Sequence, residues 1–199
     1  MLTFSLPSFL KMCQLDSHGR HAALDAKLNK PNSGYPFHRP LRDAINAHID
    51  GADQADIDEI LNAPSQEHQR RYNRNAFDAF VKRFGKDKSI AIVRETEIYP
   101  VHAHGIEITV SPWFSTVENG HTYLHVVWAT SKPALERRNA NIGCLILSES
   151  FSSTRYGNST FCVMDLTKPI RFSDKTVSAK TSVILDDVCR SISSLAKQV

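Results

Sequence analysis

Along the chain, the spacing of apolar positions changes near residue 89. Before that point the pattern is helical. "SFLKMCQLDSHGRHAALDAKLN" mixes apolar and polar residues at near-helical intervals until "KPNSGYP" interrupts it with two prolines and a glycine. "RPLRDAINAHIDG" predicts a short helix with Pro40 near its start and Gly51 at its C-terminal stop, and "DQADIDEILNAP" predicts another closed by Pro64. "SQEHQRRYNRNAFDAFVKRFGK" is the clearest helix, with Ser65 as the expected N-cap, Glu67 in the electropositive first turn and Gly85 just past the end. Phe77, Phe80, Val81 and Phe84 fall at i, i+3, i+4 and i+7, so one apolar stripe is expected to pack on a sheet.

After residue 89, β-branched and aromatic residues dominate. "SIAIVRETEIYPV", "GIEITVSPWF" and "TYLHVVWAT" predict three successive strands arranged as a meander, with "VENGH" as a turn. Ile106, Ile108 and Val110 alternate with Glu107, Thr109 and Ser111, which gives the second strand one buried and one polar face. "SKPALERRNANIGCLILSES" reads as a helix with Ser131 at its cap and Pro133 in its first turn, although "IGCLILS" also fits a buried strand. "STFCVMDL" and "KPIRFS" predict two short strands, and "SVILDDVCRSISSLAKQV" an amphipathic helix buried through Ile184, Leu185, Val188, Ile192 and Leu195. The expected fold is mixed α/β: a helical N-terminal part over residues 1–64, then a core over 65–199. In that core a central mixed sheet of about four or five strands is flanked by helices, and the two parts pack as one globular unit.

Composition adds limits. With 24 basic and 21 acidic residues the formal charge is +3, which permits nucleic-acid binding without requiring it. No stretch is long and apolar enough for a membrane span, and "MLTFSLPSFLKMC" lacks the basic start and apolar core of a secretory signal, so a cytoplasmic protein is expected. Cys13, Cys144, Cys162 and Cys189 form no C-x-x-C pair, so buried reduced thiols are expected. No P-loop, dinucleotide fingerprint, G-x-S-x-G elbow or H-E-x-x-H motif occurs.

The order helix, three-strand meander, crossover helix and further strand, over roughly residues 65 to 172, is similar to the core of the PD-(D/E)XK nuclease superfamily. In that family an acid on the second strand and an acid-x-Lys on the third bind a divalent metal and activate water. The resemblance implies that Glu107 and Lys132 occupy catalytic positions, while Thr130 stands two residues before Lys132 where the family has Asp or Glu. Magnesium usually takes at least one or two carboxylates, so the implied site is incomplete. The expected protein is therefore nuclease-like but catalytically weak or inactive, and acts by binding nucleic acid or a protein partner. Two alternatives stand beside it. One is an active magnesium- or manganese-dependent nuclease using Glu107, Lys132 and a carboxylate such as Glu118 or Asp165; the other is an interaction module unrelated to nucleic acid.

Two further groupings bear on chemistry. Arg71, Arg74 and Lys82, with Arg137 and Arg138, offer phosphate contacts, and Tyr72 and Trp113 offer aromatic faces for base stacking. His102 with His104, and His121 with His125, would share strand faces and could meet, but no cysteine or carboxylate stands at a supporting interval, so no metal site is assigned.

Overall fold

The computed structural model describes residues 1–29 and 37–199. The "KPNSGYP" interruption therefore lies outside the described residues. The first element is a strand, β1 (Leu2–Ser5), and the helices α1 (Leu6–Gln14), α2 (Ser17–Asn29), α3 (Arg39–Ile49), α4 (Gln54–Asn62) and α5 (Glu67–Phe84) follow. The N-terminal part is thus not purely helical. The long first helix expected from sequence divides at Leu15–Asp16, because the Asp16 carboxylate accepts from the Gly19 N–H at 2.7 Å and caps α2. The Arg20 guanidinium closes the corner by donating to the Met12 and Cys13 carbonyls at 3.0 and 3.1 Å and to Ser191 Oγ at 3.0 Å. α5 starts one residue later than expected: Gln66, not Ser65, takes the cap position.

The strands are β2 (Ala91–Ile92), β3 (Glu97–Val101), β4 (Ile106–Val110), β5 (Phe114–Glu118), β6 (His121–Trp128), β7 (Thr160–Asp165) and β8 (Ile170–Ser173). They form a three-stranded sheet in the order β1-β4-β3 and a five-stranded sheet in the order β2-β5-β6-β7-β8. The first two strands of the expected meander are each broken in the middle and contribute to both sheets. The break in the second lies at Ser111–Trp113, where Pro112 has no N–H to give to a ladder. Trp113 resumes pairing by donating to the His125 carbonyl at 2.8 Å, and Val93 donates to the Trp113 carbonyl at 3.2 Å. β5 and β6 form an antiparallel hairpin through Asn119 and Gly120, both at positive φ (52° and 78°), the conformation a tight two-residue hairpin turn needs.

β6 and β7 pair in parallel, and the connection between them carries α6 (Arg137–Phe151). "IGCLILS" is helical, and α6 starts at Arg137 rather than near Ser131. The residue before a proline is kept out of the helical region, so Lys132 ahead of Pro133 cannot open the helix, and residues 129–136 form an irregular bridge. α7 (Ala179–Ala196) closes the chain, with Leu185, Val188 and Ile192 buried and Ile184 and Leu195 partly so.

The period-two pattern of β6 separates two cores. Leu124, Val126 and Trp128 face a cluster built with α1, α6 and α7, whereas Val127 and Ala129 join Phe77, Phe80, Phe84 and Phe114 under α3, α4 and α5. The α5 stripe packs on the sheet as expected, with Phe80 and Phe84 edge-on to Phe114 at 5.3 and 5.1 Å, while Val81 is only partly buried. All four cysteines are free and buried. Among the described residues no helix is long and apolar enough to cross a membrane.

Candidate functional site

A cleft of about 1280 Å³ opens between the N-terminal helices and the sheet. One wall is the start of α1, with Pro7, Ser8 and Lys11; another is the face of α3 carrying Arg39, Arg42, Asp43, Asn46 and, just past its end, Asp50. The floor is Thr109, Ser111 and Trp113, and the bridge after β6 supplies Ala129, Thr130, Ser131 and Lys132. Phe37, His68 and Tyr72 stand at the rim, and Arg94 enters from the break between β2 and β3.

Arg42 is the deepest cation. Its guanidinium donates to the Pro112 carbonyl at 3.4 Å and lies 5.9 Å from the Trp113 ring centroid. Asp43, the nearest acid, instead pairs with Arg39 at 3.6 Å. Burial lowers the Arg42 pKa from its ordinary value, with Asp43 acting in the opposite direction. Lys11, Arg94 and Lys132 also line the cleft, exposed and without an ion pair among the described residues.

A hydrogen-bonded chain fixes the tautomer of His38. The buried Asn73 amide donates from Nδ2 to the Phe37 carbonyl at 2.9 Å, which turns its Oδ1 toward His38 Nδ1 at 3.2 Å. An amide oxygen can only accept, so the neutral imidazole carries its proton on Nδ1. Nε2 is then a bare acceptor facing the Thr130 hydroxyl at 3.4 Å. Burial lowers the His38 pKa; the Asn73 contact opposes this, and the nearby Lys11 charge reinforces it. His38 also locates the N-terminal end of α3: it lies beside Thr130, within the field of Lys11.

The residues singled out from sequence scatter around this cleft. Lys132 lines it. Glu107 sits on β4 between Thr3 and Pro100, on the face shared by Thr109 and Ser111, but it stops short of the cleft lining. Arg71 is exposed and lies 5.6 Å from its neighbour's Tyr72 ring. Arg74 pairs with Asp58 at 2.5 Å and holds that carboxyl below its usual range. Lys82, Arg137 and Arg138 are exposed, and none of these five cations reaches the cleft, although Tyr72 and Trp113 do. Glu118 is held by Arg171, and Asp165 is buried, accepting from the Thr167 N–H and hydroxyl at 2.8 and 2.7 Å; neither lines the cleft.

The histidines do not converge. His102 and His104 occupy a short 3₁₀ turn where His104 meets Asp186 at 2.7 Å, His121 meets Thr160 at 2.8 Å, and His125 is buried against Phe114. Among the described residues no three His, Cys, Asp or Glu side chains gather as metal ligands. Thr109 on β4, with Ser111 and Thr130 just past the ends of β4 and β6, gives this side of the cleft hydroxyls only. The carboxylates that line the cleft, Asp43 and Asp50, come from α3 and its end, so among the described residues no carboxylate lines the sheet side, where the implied magnesium site would be.

Lys11, His38, Arg42, Asn73 and Arg94 were not anticipated from sequence. A signal existed for Arg42: Arg39, Arg42, Asp43, Asn46 and Asp50 share one face of a helix at i, i+3, i+4, i+7 and i+11. No family model matches the chain, and no curated protein is detectably similar to it in sequence.

Proposed function

We propose that the protein binds nucleic acid through this cleft, on a core similar to that of PD-(D/E)XK nucleases, without efficient metal-dependent cleavage. The observation that carries this reading is Arg42, a partly buried guanidinium that has an aromatic face and a carbonyl beside it but no salt bridge among the described residues. Removing a cation from water is costly unless an anion completes it. Phosphate suits the guanidinium fork, and Lys11, Arg94 and Lys132 add charge around the same opening. Tyr72, exposed at the rim, supplies a face on which a base could stack, while Trp113 is buried in the floor against Arg42. Lys132 keeps the place of the family's lysine, but Thr130 puts a hydroxyl where the metal-binding acid would be.

The test is binding of a fluorescent single strand as salt is varied. Contacts from Lys11, Arg42, Arg94 and Lys132 give a log–log salt slope of roughly −3, or a loss of about fiftyfold between roughly 50 and 200 mM salt. Lys132→Ala and Lys11→Ala should each lower the slope by about 0.7, and Arg42→Gln should weaken binding most. Cleavage that requires magnesium or manganese and disappears in Lys132→Ala would replace this reading with the nuclease alternative. Absence of both binding and cleavage would leave a protein-interaction role.

A further inference from the structure

The cleft is electrostatically polar along its length, and we infer that it takes the phosphorylated end of a nucleic-acid strand, or a free nucleotide, rather than the interior of a strand. This rests on the nucleic-acid reading above and narrows it. At one end, Arg39 and Arg42 lie in the first turn of α3, where the helix dipole is positive; Lys11 and Thr130 meet the same place through His38, Lys132 lines the cleft two residues beyond Thr130, and the acid at this end, Asp43, pairs with Arg39. At the other end α3 terminates at Asp50, an exposed carboxylate without an ion pair among the described residues, at the negative pole of the dipole.

Eight residues separate Arg42 from Asp50, roughly 12 Å along the axis at 1.5 Å per residue. A stacked strand crossing that distance carries a phosphate about every 3.4 Å, so an interior segment would press phosphates against Asp50. A terminal phosphate avoids this conflict. It places its extra negative charge among Arg42, Lys11 and Lys132, and only its own nucleoside extends toward the acidic end. There the acceptors suit a nucleoside: Asn46 Oδ1 is buried with no hydrogen-bond partner among the described residues, and the Asp50 carboxylate accepts only. Ribose hydroxyls and exocyclic base amines are donors, whereas phosphates are not.

The experiment compares one single-stranded oligonucleotide in four forms by fluorescence polarisation at low salt: 5′-phosphorylated, 3′-phosphorylated, unphosphorylated, and ligated into a closed ring. One phosphorylated form should bind about tenfold or more tightly than the ring, a difference expected for one strong charge-assisted contact. Asp50→Asn should shrink that difference by strengthening ring binding, and Arg42→Gln should shrink it by weakening the phosphorylated form. Competition by adenosine monophosphate at the same concentration as the phosphorylated oligonucleotide identifies a free nucleotide as the ligand. Competition only by the oligonucleotide identifies a strand end. A ring that binds as tightly as every linear form overturns the inference and leaves nucleic-acid binding intact. No binding of any form overturns both.

Discussion

His125 should make the fold sensitive to mild acid. It is fully buried on β6, stacked on Phe114 at 4.7 Å and close to Phe84 at 5.6 Å. Thr116 Oγ1 lies 3.0 Å from Nε2, and Nδ1 has no partner among the described residues. A charged ring there would lose its hydration without gaining a counterion, and Arg171 and Arg83 add repulsion. Burial first and those cations second depress its pKa from 6.5 to about 3. The unfolded chain therefore binds a proton below about pH 6.5 that the folded chain refuses until about pH 3, so stability is full above that window and falls as pH drops through it. The loss is about 1.4 kcal/mol per pH unit, or about 2 kcal/mol at roughly pH 5. For a chain of this size that corresponds to a melting temperature lower by about 4–8 °C.

Urea unfolding and thermal melts from about pH 7 to about pH 5 should show this slope, and His125→Gln, which cannot titrate but keeps an amide beside Thr116, should remove about 1.4 kcal/mol per pH unit of it. His38, whose pKa is also lowered by burial, contributes slope of the same sign below about pH 6.5, which survives in His125→Gln. The depressed carboxyls of Glu118, Asp58 and Asp186 begin to lose their contribution as pH falls through the ordinary carboxylate range, about 4, which lies below the range of these melts. Wild-type stability that is flat across the window, or an unchanged slope in His125→Gln, would refute the reasoning.

Phe80→Ala removes a fully buried ring that links α5 to Phe114, and should cost about 3–5 kcal/mol in urea unfolding. Gly143 lets α6 approach both β7 and α1: a Cβ there would meet Val163 Cγ2 at 2.8 Å and Leu10 Cδ1 at 2.9 Å. Gly143→Ala should therefore destabilise the fold by about 1–3 kcal/mol, measured the same way.

Elements whose side chains carry a strong period were legible in the sequence, and those fixed by one polar contact were not. The α5 stripe, the hairpin at Asn119–Gly120, the parallel partner strand "STFCVMDL" and the buried face of the last helix all follow from spacing and turn chemistry. The split between α1 and α2 depends on Asp16 turning its carboxylate to the Gly19 N–H rather than to water, and a helical pattern continues across it. β1 is four residues long and pairs in parallel with a strand about a hundred residues later, a contact that local pattern cannot reveal. The start of α6 was misplaced because Ser131 and Pro133 resemble a helix opening, yet the restriction that Pro133 places on Lys132 acts first.

The site was harder to read for a related reason. Lys132 was conspicuous because it ends a strand, and the structure does place it at the cleft. The cations that share the cleft come from α1, α3 and the break between β2 and β3, segments whose proximity is created only when the N-terminal helices fold back over the sheet. By contrast, "HQRRYNR" looked like the basic surface because its charges are adjacent in sequence. On a helix, adjacent residues point about 100° apart, so Tyr72 reaches the rim while Arg71 faces solvent and Arg74 is neutralised by Asp58. What distinguishes Arg42 is not local charge density but partial burial without an ion pair among the described residues: Asp43 is close enough to favour its charge but makes its salt bridge with Arg39, which leaves the more deeply placed guanidinium to an aromatic face, a carbonyl and whatever anion enters the cleft.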